Sequence, residues 1–177
     1  MLPKVAIICA NYNYGDFIIP AIESIVKQTY KGELHIYVVD DGSSDDSWGK
    51  ISEYAEHCDF LFIKRIENSG ASVARNTAIE MCWADIIGVL DADDAYYPEK
   101  VEKLVDKLVE HEEVGVAYAD YDNVFDEYKK REFKPSYSFN GLRQRCMVHS
   151  NALIKKKYLE QVKLPNGEFF DSRLHGP

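Results

Sequence analysis

Apolar runs alternate with amphipathic stretches along the first 120 residues of the chain. Residues 5–9 form a short apolar run, which is typical of a strand buried on both faces. Apolar residues then recur at positions 18, 21, 22, 25 and 26, which is the spacing of a helix with one buried face. This succession predicts a strand followed by a helix, and the same pairing repeats along the chain.

Three further strand–helix pairs and a fifth strand are predicted. The strands are expected at residues 34–39, 60–66, 86–90 and 114–118. Ser43, with Asp46 three residues later, has the spacing of a helix start, and Pro98 suits the first turn of the fourth helix. Strands joined in series by helices favour a parallel sheet covered on both faces. The predicted fold class is therefore α/β, a three-layer α/β/α sandwich with a mostly parallel central sheet.

The pattern loosens after residue 120. A basic stretch at 129–132 and an aromatic-rich stretch at 133–139 predict an excursion from the sheet. A strand at 150–154 and a short helix at 156–162 follow. No repeat or linker interrupts the 177 residues, and a chain of this length is expected to form one domain.

Composition and charge narrow the classes of partner. Aspartate and glutamate number 30 against 21 lysines and arginines, a formal net charge of -9. Such a chain has no general attraction for nucleic acid or anionic lipid, and a phosphorylated ligand would need a cation to offset local negative charge.

The cysteines and the apolar runs bear on location. The four cysteines form no C-x-x-C pair, which favours a reducing cytoplasm. We find no signal peptide and no apolar run of about 18 residues, so a cytoplasmic protein is expected. Peripheral association with a membrane is compatible with this expectation.

Two acidic clusters follow predicted strands, at residues 40–43 and 91–94. Ligands of open α/β sheets bind beyond the carboxyl ends of the strands, and carboxylate oxygens suit Mg²⁺ or Mn²⁺. Each cluster alone is equally compatible with a turn or a helix cap. Together they predict a metal surrounded by Asp40, Asp41, Asp91, Asp93 and Asp94.

Four motifs in order resemble family 2 glycosyltransferases, which have the nucleotide-sugar-binding GT-A fold, a Rossmann-like α/β fold. The motifs are Cys9-Ala10-Asn11-Tyr12-Asn13, Val38-Val39-Asp40-Asp41-Gly42-Ser43-Ser44-Asp45, Asn68-Ser69-Gly70 with Ala74-Arg75-Asn76, and Leu90-Asp91-Ala92-Asp93-Asp94. The resemblance covers the chain to about residue 120 and continues more weakly to Phe170. It implies a nucleotide-sugar-binding part at 1–120 and the start of an acceptor-binding part at 121–177.

The resemblance also implies roles for individual residues. Asp41 would accept a hydrogen bond from the nucleobase, and Arg75 would lie near the nucleotide. Asp93 would be the direct metal ligand, and Asp91 would lie near the ribose and the metal. The cofactor would be Mn²⁺ or Mg²⁺. The nucleotide-binding residues implied in this way are Ala10, Asn11, Tyr12, Asp41, Arg75, Asp91 and Ala92.

The implied reaction transfers a sugar, with inversion, from a UDP- or dTDP-sugar to a hydroxyl of a glycan, lipid-linked or protein acceptor. Inversion needs a carboxylate base. None of the later acidic residues stands in the family's base motif: Asp120, Asp122, Asp126, Glu127, Glu132, Glu160, Glu168 and Asp171. Residues 169–177 resemble the segment before that motif, so we expect a truncated chain whose base lies beyond Pro177.

Two other functions are compatible with the acidic strand ends. One is a non-catalytic or truncated module that only binds a nucleotide sugar. The other is a phospho-acceptor signalling domain with a flavodoxin-like sheet, although such domains place an acidic pair after the first strand, where this chain has Ala10-Asn11.

Overall fold

The computed structural model describes residues 1–125, 128–144, 147–148 and 150–173. The strands are β1 (Val5–Asn11), β2 (Leu34–Asp40), β3 (Leu61–Arg65), β4 (Ile86–Val89), β5 (Val116–Ala117), β6 (Tyr121–Val124), β7 (Lys129–Glu132) and β8 (Leu153–Lys155). The helices are α1 (Ile18–Val26), α2 (Ser47–Ala55), α3 (Ala71–Met81), α4 (Lys100–Glu110), α5 (Phe139–Leu142) and α6 (Lys156–Leu159), and a 3₁₀ turn covers Glu160–Val162.

The central sheet has the strand order β3-β2-β1-β4-β8-β5. Strands β3, β2, β1 and β4 are parallel, whereas β8 runs antiparallel to both β4 and β5. This topology confirms the prediction of a mostly parallel sheet. It contradicts a flavodoxin-like sheet, in which the order begins 2-1-3, so the fold removes the support for a phospho-acceptor signalling domain.

Helices cover both faces of the sheet, as the alternation of patterns predicted. Helices α1, α2 and α4 pack on one face, and α3 packs on the other together with Phe169 and Phe170. Strand β1 serves both cores, because Ile7 points to the first and Ile8 to the second, and both are fully buried. Burial on both faces explains why β1 is an unbroken apolar run rather than an alternating one.

The position of β8 is the main departure from the simple series of units. Residues 153–155 pair with β4 through Ile86, Ile87 and Gly88, and so separate β4 from β5. The fifth strand keeps only two residues, because its partner in the sheet is the three-residue β8. The predicted excursion at 129–132 is one strand of the hairpin formed by β6 and β7.

Two predicted helix starts lie further along the chain. Helix α2 begins at Ser47 rather than near Ser43, because the Ser43 hydroxyl donates a hydrogen bond to Asp40 instead of capping a helix. Helix α4 begins at Lys100, two residues after Pro98.

The cysteines that the structure describes behave as small apolar residues. Cys9, Cys58 and Cys82 are free and buried, while Cys146 lies outside the described residues. Burial raises the pKa of the Cys9 thiol to about 12, so this group remains protonated beneath the end of β1. Across the described ranges, no helix is long and apolar enough to cross a membrane.

Candidate functional site

The ends of β2, β1 and β4 meet at one edge of the sheet and open into a cleft. Asn11 pairs with Asp40 at the end of β1, and the Leu90 amide donates to the Ile8 carbonyl at 2.9 Å, so the loop after β4 begins beside β1. The cleft has a volume of about 750 Å³. All the residues predicted for nucleotide and metal line it: Ala10, Asn11, Tyr12, Asp41, Arg75, Asp91, Ala92 and Asp93.

Asp41 is held at the floor of this cleft by backbone amides. Its two carboxylate oxygens accept hydrogen bonds from the Ser69 amide at 2.7 Å and the Gly70 amide at 2.8 Å. Gly42 allows the two loops to approach, because it has a φ of +71° and a Cβ there would lie 2.8 Å from the Asn68 nitrogen. Each carboxylate oxygen has a second lone pair, so Asp41 can still accept a hydrogen bond from a ligand.

Asp40 does not lie among the aspartates of the cleft, which corrects the prediction that five aspartates surround a metal. Its carboxylate is fully buried and accepts hydrogen bonds from the Asn11 side-chain amide at 2.9 Å and from the Ser43 hydroxyl. Arg65 from β3 lies 3.3 Å away and supplies the countercharge. Side chains alternate between the faces of a strand, so Asp40 and Asp41 point to different surroundings.

The loop after β1 is joined to the loop after β2 by reciprocal hydrogen bonds. Asn13, with a φ of +59°, accepts from the Ser44 amide at 2.7 Å, and Asp45 accepts from the Gly15 amide at 2.9 Å. A Cβ at Gly15 would lie 2.3 Å from an Asp46 carboxylate oxygen. These contacts fix the loop that presents Tyr12, whose side chain is half exposed at the cleft.

Arg75 and Asp91 form a partly buried ion pair across the cleft. The guanidinium of Arg75 donates to one Asp91 oxygen at 2.8 Å, and the Ser150 hydroxyl donates to the other at 2.7 Å. Arg75 is the only basic residue among the described residues that line the cleft. Ser150 was not predicted as a site residue, since only the insertion of β8 beside β4 brings it to this loop.

The side chains of Asp93 and Asp94 have different surroundings. Asp94 accepts a hydrogen bond from Asn151 at 2.7 Å and, like Asp40, does not line the 750 Å³ cleft. Asp93 is exposed, and its carboxylate makes no hydrogen bond or ion pair with any residue that the structure describes. Asp93 also lines a second cleft of about 570 Å³, which extends toward Tyr97 and Asp122.

Several later carboxylates are engaged by cations. Hydrogen bonds from Arg131 and Tyr97 lower the pKa of Asp122 to about 2, and Arg173 does the same for Asp171. The Glu168 carboxylate accepts hydrogen bonds from Ser172, which lower its pKa. These groups are poor proton acceptors near neutral pH. Asp126 and Glu127 lie outside the described residues, as do residues 174–177 of the segment that resembles the approach to the base motif.

The sequence is similar to one protein family and to several glycosyltransferases. A family model described as Glycosyl transferase family 2 matches residues 6–163. YibD of Escherichia coli K12, an uncharacterized glycosyltransferase, is 36% identical over 124 residues, which is 70% of this chain and 36% of YibD. WfaP of Escherichia coli, named a UDP-Glc:alpha-D-GlcNAc-diphosphoundecaprenol beta-1,3-glucosyltransferase, is 35% identical over 170 residues, or 91% of this chain and 64% of WfaP. The chain therefore spans about one to two thirds of these relatives.

Solved structures show the same fold. TarS of S. aureus in complex with UDP superposes with a TM-score of 0.63 at 25% identity, over 70% of this chain and 37% of that chain. The mannosyltransferase PcManGT of Pyrobaculum calidifontis, solved with GDP-Man and Mn²⁺, gives 0.69 at 22% identity, over 92% and 47%. These neighbours confirm the GT-A type of α/β fold. Since the family model covers most of the chain, and YibD and WfaP are more than 30% identical to it, this protein belongs to glycosyl transferase family 2.

Proposed function

We propose that the cleft at the ends of β1, β2 and β4 binds a UDP- or dTDP-sugar, and that the sugar is transferred with inversion to an acceptor hydroxyl. The observation that carries the proposal is the convergence of all the predicted donor residues in one cleft. The cleft lies where the strand order reverses beside β1, which is where α/β sheets bind their ligands. TarS, which superposes on this chain, is described in complex with UDP.

The preference for one nucleobase over another rests on Asp41. Its carboxylate can only accept hydrogen bonds, and both oxygens are oriented by the Ser69 and Gly70 amides. Uracil and thymine present an N3–H donor, whereas cytosine presents an acceptor at that position and would face the carboxylate with no hydrogen. The proposal therefore favours uridine or thymidine diphosphate over the cytidine analogue.

The charge of the cleft supports a divalent metal. Three carboxylates, those of Asp41, Asp91 and Asp93, face a single guanidinium, so an anionic diphosphate would meet net negative charge without a cation. Within the described residues, no group of three or more His, Cys, Asp or Glu side chains forms a metal site. Mg²⁺ is commonly held by one or two carboxylates together with substrate phosphates, and Asp93 and Asp91 fit that pattern. Bound there, Mn²⁺ or Mg²⁺ would offset the charge of the departing diphosphate.

We further propose that residues 1–120 bind the donor and that the second cleft begins the acceptor site. The two clefts share Asp93, so a ligand in one would lie beside a ligand in the other. Asp122 and Asp171 are held ionised by arginines, and we propose that the base is supplied by a residue beyond Pro177. A glycan, lipid-linked or protein acceptor is compatible with this open cleft.

Calorimetric titration with UDP tests the donor site. We expect UDP to bind in the presence of Mn²⁺ and to bind at least tenfold more weakly with EDTA or in Asp93→Ala, because a charge-neutralising ligand is lost. Asp106→Ala, on the exposed side of α4, is the matched control and should bind as the unsubstituted chain does. Absence of UDP binding with either metal would contradict the proposal.

A module that only binds the donor is the second candidate, favoured by the pairing of Asp122 and Asp171 with arginines. It predicts UDP binding without hydrolysis or transfer of a UDP-sugar. Appearance of transfer in the 177-residue chain itself would exclude this second candidate.

A further inference from the structure

Asn76 has no role in the site as described above, and yet its environment is unusual for a residue inside a helix. It lies in α3 directly after Arg75 and is 7% exposed. Asparagine is a poor helix former, and a buried carboxamide needs partners for both its ends. Here those partners come from a segment 94 residues further along the chain.

The carboxamide of Asn76 is bonded to the backbone of two consecutive phenylalanines. Its nitrogen donates to the Phe170 carbonyl at 2.8 Å, and its oxygen accepts from the Phe170 amide at 2.9 Å and the Phe169 amide at 3.2 Å. Asn76 therefore pairs with Phe170 as a neighbouring strand would, and attaches this segment to α3.

The attached segment has internal order of its own. The Glu168 carboxylate accepts from the Ser172 amide and hydroxyl at 3.1 and 2.7 Å, and the Leu164 amide donates to the Glu168 carbonyl at 2.8 Å. The Lys163 ammonium lies 4.4 Å from the centre of the Phe169 ring. Both phenylalanines pack against the core on the α3 face of the sheet. The segment at residues 163–172 is therefore internally ordered, and Asn76 fixes its position against α3.

The consequence of this attachment appears at Arg75. The Phe170 ring lies beneath the Arg75 guanidinium, with the central carbon 5.7 Å from the ring centre, which is within the range of a cation–π contact. The same guanidinium donates to Asp91 at 2.8 Å. A chain of contacts thus runs from Asn76 through Phe170 and Arg75 to Asp91.

We propose that Asn76 is a positioning residue for the donor site, which acts by holding the Phe170 ring under the only basic side chain that lines the described cleft. The inference rests on the proposed donor function. In this arrangement the ring restricts the guanidinium to the side of the cleft where it meets Asp91 and an incoming diphosphate. Asn76 itself touches neither ligand nor reacting atoms.

A double-mutant cycle on UDP affinity tests the proposal, with Mn²⁺ present and the 177-residue chain throughout. Asn76→Ala should weaken UDP binding about fivefold to tenfold, as should Phe170→Leu, whereas Phe170→Tyr keeps an aromatic face and should retain affinity. In an Arg75→Ala background, neither Asn76→Ala nor Phe170→Leu should cause a further loss, because both act through the guanidinium. A purely structural role would give additive losses instead.

Matched controls lie in the same segment. Phe169→Leu removes a ring that contacts Lys163 rather than Arg75, and Asn166→Ala removes an exposed amide that accepts only from Glu168. Both should bind UDP as the unsubstituted chain does. Thermal melting of each variant reports folding, and if Asn76→Ala does not fold, the Phe170→Leu cycle decides the question.

The outcomes separate the inference from the proposed function. Unchanged affinity in Asn76→Ala and Phe170→Leu, or additive losses in the Arg75→Ala background, would overturn the inference and leave the donor site standing. Failure of the unsubstituted chain to bind UDP would overturn the proposed function and the inference with it.

Discussion

At the scale of the residue, the neighbours Asp40 and Asp41 have different tasks. Asp40 is buried with Asn11 and Ser43 and pairs with the exposed Arg65, so it joins three strands, while Asp41 faces the cleft. A buried hydrogen-bond donor that loses its acceptor destabilises the fold, because its lost hydration is no longer offset. The sequence shows two adjacent aspartates, and only their partners distinguish the buried carboxylate from the one that lines the cleft.

We expect Asp40→Asn to lower the free energy of unfolding by about 1–3 kcal/mol, because an amide nitrogen would replace one of the buried acceptor oxygens to which Asn11 and Ser43 donate. Urea denaturation measures this change. Glu33→Gln is the control, since Glu33 pairs with Lys4 at the surface and exposed pairs contribute little. A loss in Asp40→Asn no larger than in the control would contradict the assignment.

The burial of Lys100 allows a prediction of how the free energy of unfolding depends on pH. Burial lowers its pKa to about 8, although its ammonium lies 3.6 Å from the centre of the Tyr96 ring. Between about 8 and the ordinary value of 10.5, the folded state binds fewer protons than the unfolded state. The contribution of Lys100 therefore makes the free energy of unfolding rise with pH across that window.

Lys100→Met should accordingly raise the melting temperature most below pH 8, where the burial cost is fully present, and the gain should vanish toward pH 10.5. Melting curves between pH 6 and 10.5 check this trend. Lys103→Met, on the exposed side of the same helix, should show no such pH dependence. A gain that grows with pH would contradict the assigned direction.

At the scale of the element, the β6–β7 hairpin stands apart from the main sheet as its own two-stranded sheet. The Tyr97 hydroxyl donates to Asp122 at 2.7 Å and so joins the hairpin to the loop before α4. Arg131 in β7 bonds the same carboxylate at 2.8 Å. An isolated two-stranded hairpin is marginally stable, so its attachment matters.

Tyr97→Phe should therefore speed amide hydrogen exchange in β6 and β7 by severalfold and leave the global melting temperature nearly unchanged. Exchange measured by mass spectrometry localises the effect. Tyr128→Phe is the matched control, because its ring stacks on Phe125 at 4.7 Å while its hydroxyl bonds to none of the described residues. Equal protection of the hairpin in both variants would contradict this assignment.

At the scale of the whole molecule, β8 joins the later part of the chain to the sheet formed by β1–β4. Leu153 is fully buried and pairs with Gly88 in β4 and Ala117 in β5. The residues just before β8 reach the loop after β4, where Ser150 bonds Asp91 and Asn151 bonds Asp94. Strand β8 and the residues just before it therefore link the core of the sheet to the loop that carries Asp91 and Asp94.

Leu153→Ala should lower the free energy of unfolding by about 2–5 kcal/mol, because a large, fully buried side chain is removed between β4 and β5. Val116→Ala, in the same region but 39% exposed, should cost much less. Urea denaturation of both variants makes the comparison. Similar losses in the two would show that β8 does not carry the core at this position.

Much of this architecture could be predicted, because hydrophobic periodicity reports local burial. It showed the strand–helix series, the α/β class and the acidic strand ends, and the motifs added the family, now supported by the family match. The capping spacing failed at Ser43, whose hydroxyl donates a hydrogen bond to Asp40 instead of beginning a helix. Local spacing does not reveal which partner a hydroxyl meets once the loops fold together.

The sequence by itself thus determined most of the elements in residues 1–120 and the residues that gather at one edge of the sheet. The tertiary structure alone decided the insertion of β8 between β4 and β5, the separate surroundings of Asp40 and Asp41, and the attachment of Phe170 to Asn76. These contacts join residues 29 to 94 positions apart. A periodic pattern shows only which side of an element is buried, whereas the contacting groups depend on how the elements pack.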